Sequence, residues 1–98
     1  MRRAARIDRN QPEIVSALRK AGAYVLPTHQ LKNAFDLLVA YCGRTMIVEV
    51  KDGEQPPSKQ QLTEGEEKCK EAIEAQHVKY HIIHNVEEAL AMLDVICK

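Results

Sequence analysis

Apolar positions along the chain switch between helical and strand-like spacing, and the switches divide it into seven elements. Ile14, Val15, Leu18 and Ala21 recur at helical spacing, with Pro12 suited to a first turn and Gly22 to a stop, which predicts a helix from about Pro12 to Ala21. A short strand follows from Ala23 to Leu26, closed by Pro27. Phe35 to Tyr41 and Arg44 to Lys51 read as two further strands, separated only by Cys42-Gly43, a hairpin-length loop. Asp52 to Ser58 is a loop by composition. Thr63 to Gln76 reads as a helix opened by a capping box, with Thr63 three residues before Glu66. Val78 to Ile83 is strand-like, and Val86 to Ile96 is a last helix expected to bury Val86, Ala89, Leu90, Leu93 and Ile96. The order α-β-β-β-α-β-α predicts an α/β fold with a mixed central sheet flanked by helices.

The hairpin carries the most informative consequence. Side chains alternate along a strand, so Asp36 shares a face with Leu38 and Ala40, and Glu49 with Ile47 and Lys51. If Cys42-Gly43 is a two-residue turn, Tyr41 pairs with Arg44 and Asp36 with Glu49. The two carboxylates would then face each other with Cβ atoms about 4.5–5.5 Å apart, and Lys51 on the same side. Like charges directly opposite are destabilising, and two converging carboxylates suit a hard cation such as Mg²⁺ or Mn²⁺. An acid-x-Lys triplet alone means little, because one arises by chance about 0.7 times in a chain this long. Solvated charges at two strand ends would explain the residues equally well without the register.

A chain of 98 residues, 45% apolar and 29% charged, is expected to form one domain over residues 1–98 with a core of its own. The longest apolar run, Leu37 to Cys42, is too short to span a membrane, and Met1-Arg2-Arg3 is followed by alternating charge rather than an apolar stretch. Cys42, Cys69 and Cys97 are odd in number and widely spaced, which favours reduced thiols in a cytoplasmic protein. Net charge is zero, from 14 basic and 14 acidic residues, but the balance is uneven. Residues 1–20 hold six basic groups against two acids, whereas residues 52–74 hold seven acids against three lysines. The basic end would suit phosphate contacts, although a solvated charged helix has the same composition.

Asp36, a gap of twelve residues and then Glu49-Val50-Lys51, preceded by Glu13 in Asn10-Gln11-Pro12-Glu13-Ile14, resembles the PD-(D/E)XK nuclease superfamily. More narrowly, the run from Glu49-Val50-Lys51-Asp52-Gly53 through Pro56-Pro57-Ser58 to Leu62-Thr63 is similar to the small stand-alone VRR-NUC proteins of phages, relatives of Holliday junction resolvases. The resemblance spans about residues 7–92 and implies a restriction-endonuclease-like core. It implies that Asp36, Glu49 and the Val50 backbone carbonyl bind Mg²⁺ or Mn²⁺, and that Lys51 orients and acidifies the attacking water. Glu13 would reach the metal or its water shell from the first helix. Such a metal makes a nucleophile available near neutral pH and offsets charge growing on phosphate.

The implied activity is endonucleolytic hydrolysis of DNA, structure-specific on branched DNA such as a four-way junction. The two-fold symmetry of a junction suits a homodimer, and the implied setting is the cytoplasm of a bacterial or phage-infected cell. Arg2, Arg3 and Arg6, with Lys32, Arg44, Ser58, Lys59 and Glu66 around the site, are the expected DNA contacts. Met92 and Val95 widen the apolar stripe of the last helix and would supply some dimer interface.

This chain departs from the pattern at three places. Phe35-Asp36 stands for the usual Pro-Asp, Asn33-Ala34 replaces a glycine, and Glu66 stands where many relatives carry glutamine. Glu66 has a simpler role open to it in the capping box, as does Glu13 through Asn10-x-x-Glu13. These departures leave two other readings: an inactive DNA-binding or subunit-contact module, or a small regulatory domain with solvated acids. His77, His81 and His84 are not a metal set, because strand geometry puts His77 and His81 about 13 Å apart. Cys42 has no neighbouring base in sequence to make it a nucleophile.

Overall fold

The first helix ends where its sequence says it must. α1 (Gln11–Lys20) closes with Gly22 at φ 101°, and the Ala23 and Gly22 N–H groups donate to the Leu18 and Arg19 carbonyls at 3.1 and 3.0 Å. That pair of bonds is a Schellman motif, which needs a left-handed residue at its centre. The computed structural model describes residues 8–28, 31 and 33–96. The remaining elements are β1 (Tyr24–Pro27), β2 (Leu37–Tyr41), β3 (Arg44–Val50), a 3₁₀ turn (Pro57–Lys59), α2 (Glu64–Ala75), β4 (Tyr80–Ile83) and α3 (Val86–Ile96). The fold is α/β with a four-stranded mixed sheet flanked by helices, in the expected order.

The strands lie in the order β1-β2-β3-β4, with the first two contacts antiparallel and β3–β4 parallel. The parallel step needs a crossover, which α2 supplies. Cys42 and Gly43 both have positive φ (52° and 74°), as the tight primed hairpin turn requires. Tyr41 therefore faces Arg44, and Leu37 faces Val48. Pro27 lies inside β1 rather than after it; β1 is an edge strand, where a missing N–H is tolerated.

Alternation gives the sheet two unlike faces. Val25, Leu37, Val39, Met46, Val48, Val50 and Ile83 point to one face and join Ile14 and Leu18 of α1 and Ala89, Met92 and Leu93 of α3 in the core. On the opposite face the register aligns Leu26, Leu38, Ile47 and Tyr80 in one row and Tyr24, Ala40 and Thr45 in another. α2 lies over the β3–β4 half of that second face and buries no residue completely.

Two expectations are corrected. On α3 the inward stripe runs through Ala89, Met92 and Leu93, while Leu90 is 41% exposed. Met92 therefore belongs to the chain's own core, and of the suggested interface pair only Val95 is exposed. Cys42 is disulfide-bonded, so the reading of uniformly reduced thiols fails there, whereas Cys69 is a free thiol. No helix among the described residues is long and apolar enough to cross a membrane.

The α3 correction has a thermodynamic signature. Leu93→Ala should cost about 2–5 kcal/mol in urea unfolding, because Leu93 is 3% exposed. Leu90→Ala should stay within about 0.5 kcal/mol of wild type, because that side chain is half in water. Equal losses at the two positions would mean that the helix is rotated from the orientation described.

Candidate functional site

The hairpin register places the acids. Asp36 lies one residue before β2, and its N–H donates at 3.0 Å to the carbonyl of Val48, the residue that faces Leu37, so the regular ladder stops there. Its side chain turns back across the strand end, where Oδ2 accepts the Val50 N–H at 2.8 Å. The paired register ends at Leu37 opposite Val48, and just beyond it Asp36 and Glu49 are close enough that each shifts the titration of the other. Lys51 Nζ lies 3.4 Å from Glu49 Oε2 and 3.3 Å from Glu66 Oε1, and the Tyr80 hydroxyl donates to Glu49 Oε1 at 3.3 Å. Asp36, Glu49, Lys51 and Glu66 share a cleft of about 590 Å³ with Asp8 and Lys59.

Asp8, Asp36, Glu49 and Glu66 set four carboxyl groups against the two ammonium groups of Lys51 and Lys59, which leaves acidic groups in excess. Glu49 is 2% exposed, and burial, followed by the charges of Asp36 and Glu66, pushes its carboxyl up to about 9. Burial raises Asp36 as well, against the opposing pull of the Val50 N–H, and it raises Asp8. Burial works against the charge on Lys51, but Glu49 and Glu66 more than offset it, so that ammonium is held above its ordinary range. For Glu66 burial is outweighed by the Thr63 N–H and by Lys51, and its carboxylate is held low. Glu66 completes the capping box of α2 and also contacts Lys51: its Oε1 accepts the Thr63 N–H at 3.0 Å and the Lys51 ammonium as well.

The donor chemistry fits a hard divalent cation. Every candidate ligand is oxygen, and Val50, whose N–H meets Asp36, turns its carbonyl toward the same strand edge. Among the described residues no three His, Cys, Asp or Glu side chains are grouped to grip an ion by themselves. Two carboxylates, a backbone carbonyl and water are instead the kind of set that Mg²⁺ accepts, because Mg²⁺ keeps part of its water shell.

The backbone around the cleft is clamped from the first helix. Asn10 Nδ2 donates to the Lys51 carbonyl at 3.2 Å and the His84 carbonyl at 2.9 Å, tying the start of α1 to the ends of β3 and β4. The Gly53 N–H reaches the same His84 carbonyl at 3.1 Å, so close that a Cβ there would stand 3.0 Å from that oxygen. Arg9 adds an ion pair to Asp52 at 3.0 Å. Asn10 makes no side-chain cap, so the capping box suggested for Asn10 and Glu13 does not form.

Other expected positions fall elsewhere. Glu13 is exposed on α1 and does not line the cleft, because burial of Gln11, Ile14, Val15 and Leu18 fixes the helix rotation. Asp8, just before that helix, lines the cleft instead. Arg44 begins β3 at its far end, five residues or about 17 Å from Glu49, and so does not border the site. Lys59 lines the cleft, whereas Ser58 is exposed in the 3₁₀ turn and does not. Arg2, Arg3, Arg6 and Lys32 lie outside the described residues.

Asn33 has φ 59°, a left-handed conformation that asparagine tolerates. It stands against Gly65, where a Cβ would come within 2.4 Å of its side chain. Asp8, Asn10 and Tyr80 are the residues that sequence reasoning missed. Only Asp8-x-Asn10 ahead of the Pro12 helix start offered a signal, since the parallel register that brings Tyr80 to Glu49 leaves no local mark.

Titration of the cleft yields an expectation for the metal-free protein. Glu49 titrates near 4.5 when unfolded and near 9 when folded, so between those values the folded state holds the additional proton. Stability should therefore fall as pH rises from about 5 to about 9, with Asp36 and Asp8 acting in the same sense. Glu49→Gln should flatten that decline and raise the melting temperature most at the alkaline end. A wild-type melting temperature that is level over this range would refute the assignment. Asn10→Ala should cost about 1–3 kcal/mol in urea unfolding, because the Lys51 carbonyl loses its side-chain donor and the His84 carbonyl keeps only the Gly53 N–H, whereas Glu13→Ala should be nearly neutral.

Comparison with protein-family models, with curated proteins and with solved structures gave no match for this chain.

Proposed function

We propose that this chain is a metal-dependent endonuclease that hydrolyses DNA phosphodiester bonds with Mg²⁺ or Mn²⁺, structure-specific on branched DNA. The observation that carries the reading is the pairing of Asp36 with Glu49 across the hairpin end, with Lys51 in reach of Glu49. Ionised together, two buried carboxyls set side by side cost stability, so the pair makes chemical sense when a cation joins them. When bound, the metal would supply an acidified water and a counter-charge for the phosphate.

The chain's own residues divide the remaining work. Asp36, Glu49 and the Val50 carbonyl would hold the cation, while the Val50 N–H fixes the rotation of the Asp36 carboxylate. Lys51 brings an ammonium to Glu49 and would stabilise charge developing on the phosphate. Glu66 holds Lys51 in place, and Asn10 holds the backbone that carries it. The resemblance of the Glu49–Thr63 run supports DNA as the substrate, and a homodimer and a cytoplasmic setting go with that reading. Glu66 favours one alternative: a fourth carboxyl facing the phosphate suits an inactive DNA-binding or subunit-contact module on the same fold.

Incubating the protein with four-way junctions, flaps, nicked duplex, duplex and single strands in Mg²⁺ or Mn²⁺ separates these readings. Metal-dependent cleavage is expected, strongest on branched DNA. Asp36→Ala and Glu49→Ala should each abolish it while the far-ultraviolet spectrum stays native. Lys51→Ala should slow cleavage at least about 100-fold with little change in DNA affinity. DNA binding without cleavage would identify the inactive module, and absence of both cleavage and metal-induced thermal stabilisation would remove the nuclease reading.

A further inference from the structure

Among the described residues, the second face of the sheet is covered over only half its width. α2 shields the β3–β4 side, but Tyr24 and Leu26 on β1 remain 61% and 45% exposed, and Leu38 and Ala40 beside them are partly open. The register makes these four side chains neighbours on one apolar surface. Strand addition at the β1 edge is hindered, because Pro27 lacks an N–H and Arg19 Nη2 caps the Val25 carbonyl at 3.0 Å. An occupant must therefore lie on the face.

Charge identifies that occupant. One border of the surface is α2, whose exposed residues include Glu64, Glu67, Glu71 and Glu74, with Lys68 as the only exposed cation of the helix. The other border is the β1 edge, where Arg19 and Lys20 end α1 in the open. A surface acidic along one side and basic along the other is complementary to its own copy after a half-turn.

We propose that a second copy of this chain docks on the uncovered half of the sheet, related by a two-fold axis parallel to the strands. Each α2 then lies beside the β1 edge of the other copy, with its acids near the other copy's Arg19 and Lys20, while Tyr24 and Leu26 are buried at the centre. A half-turn about an axis across the strands would instead set α2 against α2, acid on acid. The favoured axis preserves strand direction, so both clefts open at the same end of the dimer. On the nuclease reading, that arrangement offers two sites to one two-fold-symmetric DNA.

Sedimentation of the whole chain over about 1–200 µM, without DNA or metal, tests the surface independently of any activity. A monomer–dimer equilibrium is expected, and Leu26→Lys should weaken it at least about tenfold with an unchanged melting temperature. Lys20→Glu should also weaken it, and adding Glu71→Lys should restore most of the loss, a rescue that a purely apolar contact would not show. A monomer at every concentration, or a dimer indifferent to Leu26→Lys, overturns the proposal. A dimer with the expected responses but no cleavage would leave the surface standing and the nuclease reading fallen; cleavage by a strict monomer would do the reverse.

Discussion

Asp36 and Glu49 meet across the end of one hairpin, and that meeting is the constraint around which the molecule is arranged. Two carboxyls at this separation repel when both are ionised, and burial raises the cost of either charge. The repulsion persists because it is outweighed on the other face of the same strands. Leu37, Val39, Met46, Val48 and Val50 are at most 2% exposed, and burying each contributes about 1.5–3 kcal/mol. Alternation thus gives β2 and β3 a stabilising face and a chemical one. Slipping the register by one residue to relieve the acids would turn the whole apolar set toward solvent.

The loops around the cleft are fixed by polar bonds. Where β3 runs out, the Lys51 N–H still reaches the Ile83 carbonyl at 2.9 Å, and Asn10 takes the Lys51 and His84 carbonyls from the other side. The chain then turns at Asp52, whose carboxylate accepts the Glu54 N–H and pairs with Arg9. Those contacts hold it below the usual carboxylate range, the Glu54 N–H most strongly. A backbone fastened at three successive residues gives the Lys51 side chain a defined origin, which a residue acting by position needs.

What could be read in advance divides along the range of the interactions involved. The hairpin, its register and the Thr63–Glu66 capping box are short-range, set by φ at two turn residues or by side chains three apart, and each was legible in the residues themselves. Glu13 was singled out by the resemblance of the run around it, but its exposure depends on how α1 rotates against a sheet far away in sequence. Met92 and Leu90 exchanged roles for the same reason, since both fit a helical stripe and only packing on the sheet distinguishes them. Arg44 was placed near the site because loops were treated as one neighbourhood, whereas the length of β3 separates its two ends. Tyr80 reaches Glu49, and Asp8 the cleft, only through tertiary contacts, which neither spacing nor composition encodes.

Glu66 links the chemistry of the cleft to the least anchored element. α2 buries no residue completely, so its attachment to the sheet relies on partly buried side chains such as Cys69 and Ile73 and on the Glu66–Lys51 ion pair. The Thr63 cap is internal to the helix and helps to form it without fastening it to anything else. A group that draws Lys51 away, such as a phosphate, therefore competes with the attachment of α2 while leaving the helix itself intact. A cation between Asp36 and Glu49, as proposed, would act in the opposite direction by offsetting the negative potential around Glu66. On the proposed function, occupancy of the cleft and seating of α2 would be coupled through one carboxylate, with a strength set by a pair only partly shielded from water.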